Sequence, residues 1–162
     1  SFAFRPPTAE PTAQPLRTSG RSLIGALSAG VLGTVKLLHV HAAHDVGRAI
    51  NPLIIDGQIH GGIAQGLGLA LMEEYRAGRT ENLHDYLIPT VGDVPEIECI
   101  LIEDREPLGP SGAKGIGEPA LVPTAPAILG AVHHATGVRA HRVPLLPHRL
   151  REAIVALKGM SQ

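Results

Sequence analysis

A single carboxylate, Glu118, stands between Gly117 and Pro119 near the end of a run from Gly109 to Leu121 that also holds Gly112, Gly115 and Lys114. Glycine reaches positive φ and lets a backbone come close to a bound group. The proline keeps Glu118 out of helical φ/ψ and suits the first turn of a helix. Such a loop offers one acid in a defined backbone geometry near a helix start. That is how a catalytic carboxylate can be presented, and it is also the composition of an ordinary loop-to-helix junction. A phosphate-cradling loop needs Gly-Lys followed by Ser or Thr. Lys114 lies between Ala113 and Gly115, so the hydroxyl is missing and that reading fails.

Two further groupings could carry chemistry. His39 and His41 alternate onto one face of a strand expected over Val35 to Val46, with His44 following. A divalent metal would require a third ligand at defined geometry, and this spacing fits no zinc motif. Two histidines on a half-exposed strand face are therefore expected, with no protein-held metal. The second grouping lies on a helix expected from about Leu53 to about Tyr75. At 100° per residue Ile55, Ile59, Ile63, Leu67 and Leu71 form an apolar ridge. On the other side lie Gly57, Gln58, Gly61, Gln65 and Gly68. Five glycines (Gly57, Gly61, Gly62, Gly66 and Gly68) cost this helix about 5 kcal/mol relative to alanine. Either another backbone packed at close range or a bulky ligand must offset that.

The elements that position these residues follow from the rest of the chain. Its 162 residues suffice for one domain with a real core. Aromatic residues are only 2%, so that core must be built from Leu, Ile, Val and Ala. The formal net charge of -1, without a basic block, gives no electrostatic footprint for nucleic acid. One cysteine, Cys99, excludes an intrachain disulfide, a cysteine-ligated iron–sulfur cluster within the chain and a multi-Cys zinc site; the cytoplasm is the expected compartment. Residues 1–22, with Pro6, Pro7, Pro11 and Pro15, read as an extended arm, and residues 23–162 as the domain. The apolar stretch from Leu23 to Val35 is too short to span a bilayer and reads as a buried strand or short helix. After a turn at Gly33-Thr34 and the Val35–Val46 strand come the glycine-rich helix, a polar loop over Arg76–Asn82, an extended piece over His84–Pro89 and a turn over Val91–Val94. Pro95 to Glu103 alternates as a half-buried strand does. A helix starting between Pro119 and Thr124 should run to Thr136 with Gly137 as its C-cap. Val138–Pro144 is expected as a short strand and Pro147–Lys158 as a terminal amphipathic helix.

Three stretches taken together are more specific than any one: Ala43 to Pro52, Gly57 to Gly68 leading to Glu73-Glu74, and Gly115 to Leu121, with Asp85–Pro89 and Asp93–Glu96 between them. In this order the chain resembles the C-terminal part of the molybdopterin-binding subunit of the xanthine dehydrogenase/aldehyde oxidase family, over roughly Gly33 to Leu150. The resemblance implies an α+β fold: a partial molybdopterin-binding domain with a glycine-rich helix, a C-terminal helix pair and short strands. It also implies a molybdenum hydroxylase, in which the metal is held by the pterin rather than by protein side chains. Glu118 matches the family's glutamate, the general base on the hydroxyl of molybdenum during attack on an aldehyde or N-heterocycle. Gln58 matches a position that hydrogen-bonds the pterin. Lys114, Gly115, Ile116 and Gly117 would line the cofactor side of the site, with the pterin lying against Gly57, Gly61 and Gly62.

The family's subunit is several times longer, and its upstream Gly-Gly-x-Phe-Gly loop has no counterpart here, since phenylalanine occurs only at Phe2 and Phe4. The resemblance thus implies half of a split site, completed by a larger molybdopterin subunit, with 2Fe-2S and FAD on iron–sulfur and flavin partner subunits. Bacterial relatives often carry the pterin as a cytosine dinucleotide. A non-catalytic assembly subunit of such a complex is the alternative, and an independent His-based metalloenzyme a weaker one.

Overall fold

A computed structural model describes residues 22–29 and 32–159. The proline-rich arm falls outside them except for Ser22, which opens the first strand. In chain order the elements are β1 (Ser22–Ala29), β2 (Val35–Asp45), α1 (Pro52–Leu71), β3 (Glu96–Ile102), a single 3-10 turn at Pro110–Gly112, α2 (Thr124–Thr136) and α3 (Pro147–Gly159). The three strands form one sheet in the order β1-β2-β3. β1 runs antiparallel to β2, whereas β3 runs parallel to it, with His41 opposite Glu98 and Asp45 opposite Ile102. A parallel pair needs a crossover, and α1 with the loops after it provides that connection. The α+β expectation holds.

The two faces of β2 differ. Val40, Ala42 and His44 are buried, and the first two join Ile59 and Ile63 of α1, Ile128 and Val132 of α2 and Leu150 of α3 in one aliphatic core. Fully burying an isoleucine contributes about 1.5–3 kcal/mol, so Ile59, Ile63 and Ile128, each at most 2% exposed, anchor the packing. His39 and His41 lie on the opposite face and are half-buried. His44 is therefore separated from them, and its burial lowers the pKa of its imidazole.

α1 starts where its cap dictates. The Asn51 side chain accepts from Ile54 N at 3.2 Å, and Pro52 occupies the first turn. It ends at Leu71, short of the expected Tyr75. The N–H groups of both Met72 and Glu73 turn back to Gly68 O, at 2.9 and 2.8 Å. Glu73 then accepts a hydrogen bond from the Tyr86 hydroxyl at 2.7 Å, and Glu74 is gripped by Arg149 and by Arg76. Side chains expected on the helix instead tie its end to the following loop and to α3.

Two other expectations are corrected. His84–Pro89 begins as a turn, closed by Tyr86 N on Asn82 O at 2.9 Å, rather than as extended chain. Val138–Pro144 is not a strand. Pro144 has no N–H to give a ladder, and the segment docks on α1 instead, with Leu145 N donating to Ala70 O at 2.6 Å. Gly137 caps α2 in the left-handed region at φ 76° as expected. Among the described residues no helix is long and apolar enough to cross a membrane.

Candidate active site

The loop that carries Glu118 leaves β3 at Ile102 and is fastened at both ends. Its upstream half is held at the C-terminal end of β2. Val46 N donates to Ile102 O at 2.9 Å, Lys114 N to Val46 O at 2.9 Å, and Arg48 N to Gly112 O at 2.7 Å. Gly47 makes this approach possible: its φ is +62°, and a Cβ there would stand 2.4 Å from Gly112 O. The Lys114 ammonium lies 2.7 Å from Asp45 Oδ2, whose side chain is only 9% exposed. That hydrogen bond raises the lysine's pKa above its ordinary value. Lys114 thus reaches back to the sheet, fixing the loop to the strand end where α/β sheets commonly place ligands.

The downstream half is held by α1. Residues 118–121 form a turn closed by Leu121 N on Glu118 O at 3.0 Å. Ala120 is fully buried, and Thr124 Oγ1 donates to its carbonyl at 2.7 Å. The turn fits because α1 lacks side chains beneath it. A Cβ on Gly62 would meet Ala120 Cβ at 2.8 Å and Leu121 N at 3.0 Å, and one on Gly66 would meet Thr124 Cβ at 2.4 Å. Gly68 is likewise filled, by Glu73 and Pro89. α2 begins only at Thr124, so Glu118 sits in a turn ahead of the helix rather than at its first residue.

Exposed positions flank these anchors. Gly57 and Gly61 on α1, and Gly115 and Gly117 in the loop, have nothing within 4 Å of a Cβ built on them. Gln58 and Gln65 are exposed on the same side of α1. Gln58 is one turn before Gly62, hence a near neighbour of the stripe on which the Glu118 turn docks. Ile116 packs on the core, while Glu118 is exposed and no described residue engages its carboxylate. Cys99 offers no competing nucleophile. Burial first, then the nearby Asp56, pushes its thiol up to about 11, so it stays protonated near neutrality. A cleft of about 410 Å³ near the other end of α1, lined by Gly33, Leu37, Leu67 and Leu71 among others, contains none of these groups.

The structure therefore brings Gln58, Gly57, Gly61, Gly115, Gly117 and Glu118 to open surface on α1 and the loop docked against it. Gly62 and Lys114 stand behind that surface, the first admitting the turn and the second holding the loop. Asp45 and Gly66 were missed by the sequence reading. Asp45 pairs with a residue 69 positions away, which no local pattern signals. Gly66 could have been suspected from its place beside the apolar ridge.

Known proteins share this sequence and fold. Residues 30–95 match the family described as Molybdopterin cofactor-binding domain. The xanthine dehydrogenase molybdenum-binding subunit of Escherichia coli O157:H7 is 45% identical over 115 residues, covering 67% of this chain. The solved aldehyde oxidoreductase of Desulfovibrio gigas superposes with a TM-score of 0.74 at 35% identity, over 76% of this chain. This chain belongs to the molybdopterin-binding subunits of the xanthine dehydrogenase/aldehyde oxidoreductase family. Quinoline 2-oxidoreductase of Pseudomonas putida 86 is a further structural relative of the family, with a TM-score of 0.70 and 39% identity over 75% of this chain. The chain spans 15% of the length of the E. coli subunit, 14% of the D. gigas chain and 16% of the P. putida chain. The family match covers β2 and α1 and stops just before β3, so the loop carrying Glu118 lies beyond it.

Proposed function

We propose that this chain forms one wall of a molybdopterin hydroxylase site and supplies its general base, Glu118. One observation carries the reading. Four glycines whose missing side chains face open space, Gly57, Gly61, Gly115 and Gly117, lie on the helix and loop that present an unpaired carboxylate. Glycines kept for internal packing would have neighbours, as Gly62 and Gly66 do. A helix that gives up about 1 kcal/mol at each bare exposed position fits a flat group laid against it, and a pterin is such a group. Gln58, with amide donors and an acceptor, is the side chain on this face suited to the pterin's polar edge. Lys114 and Gly62 act from behind.

The cofactor, when bound, supplies the two-electron redox chemistry and activates the oxygen donor. The net reaction is substrate C–H plus water giving C–OH, two protons and two electrons, on an aldehyde or a purine- or pyridine-like N-heterocycle. Glu118 takes one of those protons on its carboxylate oxygen as the oxygen nucleophile attacks, a step for which a positioned base contributes about 10²–10⁴-fold. The electrons leave through 2Fe-2S and FAD groups on partner subunits. A larger molybdopterin polypeptide completes the pocket, and the pterin can carry a cytosine dinucleotide.

Replacing Glu118 by Gln in the assembled enzyme tests this. Turnover should fall by about 10²–10⁴-fold while molybdenum content stays at the wild-type level. Undiminished turnover would instead mark the chain as a non-catalytic assembly subunit.

A further inference from the structure

The face of the sheet away from α1 holds a cluster that the proposed hydroxylase site does not use. His39 and His41 alternate along β2, and the parallel register sets Glu96 and Glu98 of β3 directly opposite them. His41 Nδ1 is 2.6 Å from Glu98 Oε2, His39 Nε2 is 4.0 Å from the same oxygen, and His39 Nδ1 is 3.4 Å from Glu96 Oε2. The two imidazoles are tilted at 52° with centroids 4.3 Å apart. One donor atom from each of His39, His41 and Glu98 lies within 4.8 Å of the other two.

A hydrogen-bonded His41–Glu98 pair would account for part of this, but it leaves His39 unexplained. Its Nε2 is buried and has no hydrogen-bond partner among the described residues. Buried polar atoms are nearly always satisfied, so this one calls for a ligand that the described residues do not supply. Three donors around a tetrahedral zinc, each about 2.0–2.2 Å from it, stand about 3.3–3.6 Å apart. Reaching that spacing means closing the His39–Glu98 gap and opening the His41–Glu98 one, each by less than roughly 1 Å, and bringing the two imidazole donors, at most 4.8 Å apart, together by rotation of their rings. Glu98, whose side chain is 56% exposed, has the freedom to make both movements.

We propose that His39, His41 and Glu98 form a divalent metal site of the zinc class on the sheet face, with water in the fourth position and Glu96 beside the other ring nitrogen of His39. Two imidazoles and one carboxylate suit zinc and its borderline neighbours rather than magnesium or calcium, which take oxygen ligands. The ion would tie β2 to β3 across their parallel register, on the face away from α1. This is independent of the molybdopterin reading, and either can fail alone.

The test uses the full-length enzyme in its complex, stripped of loosely held metal with a chelator and titrated with Zn²⁺, with zinc and molybdenum measured together. One zinc per chain should be taken up beyond the molybdenum. Losing even an outer-shell partner weakens metal sites about 10–100-fold, so His39→Ala and Glu98→Gln should each weaken uptake by roughly tenfold or more, with molybdenum unchanged. The near-isosteric Glu98→Gln guards against loss of fold. Co²⁺ in place of zinc should give a tetrahedral visible spectrum that both variants abolish. No added zinc equivalent, or uptake equal in wild type and variants, would overturn the site.

Discussion

Gly62 and Gly66 lie on the side of α1 turned towards the protein, and Gly57 and Gly61 on the side turned away. On the inner side the absent side chains are replaced by the Glu118 turn and by Thr124, while Gly68, in line with the outer pair near the helix end, is covered by Glu73 with Pro89. Gly57 and Gly61 have no such neighbour among the described residues. A glycine costs a helix the same amount at either place; the inner ones are offset by packing, and the proposed function assigns the offset of the outer ones to the cofactor. On that reading close packing and a bulky ligand, rival explanations of one glycine-rich helix, divide it between them.

The largest effect that can test this division is the one at Glu118. Substitution with Gln should remove turnover by about 10²–10⁴-fold yet leave the melting temperature unmoved, because the carboxylate contacts none of the described residues. A melting temperature that fell together with activity would place Glu118 on the packed side of the comparison.

Next in size is Gly66→Val, on the inner side. A Cβ already meets Thr124 Cβ at 2.4 Å, so the larger side chain should cost about 1–3 kcal/mol through overpacking, read by chemical unfolding. Gly57→Ala is the opposing case. With open space around it, alanine should raise stability by up to about 1 kcal/mol, while molybdenum retention in the complex falls. A gain in stability with full cofactor retention would leave the outer glycines without an explanation.

The smallest effect concerns the anchor behind the site. Lys114 has its pKa raised by its hydrogen bond to Asp45. The stability from this pair is fully present below the unfolded lysine's pKa of about 10.5 and is lost as pH rises through the higher folded value. The stability difference between wild type and Lys114→Met should accordingly be flat from neutrality to about pH 10 and shrink above that. A difference that changes near neutral pH would point to another group.

Much of the fold was legible because its signals are local. The apolar ridge Ile55–Ile59–Ile63–Leu67, the alternation before Cys99 and the Gly137 stop each act within one or two turns, and the structure follows them. Glu118 and the glycines around it stand out as a group for the same reason, since they fall within one short loop. What escaped depends on contacts between distant residues. The end of α1 is set by Tyr86 and Arg149, the loop by Asp45, and the carboxylate beside His41 by a parallel register that forms only after a crossover. The spacing of His39 and His41 held no third ligand, because Glu98 arrives from a different strand. Val138–Pro144 has the composition of a strand but no neighbouring edge to pair with.

On the proposed function, the two fastenings of the Glu118 loop also limit how such an enzyme could diversify. Lys114 is pinned at one end and Ala120 is seated on α1 at the other. The five residues between them have little slack for insertions, which would swing the acid off target. New substrate preferences would then have to arise in polypeptide that faces this wall, with the wall itself held to its present length.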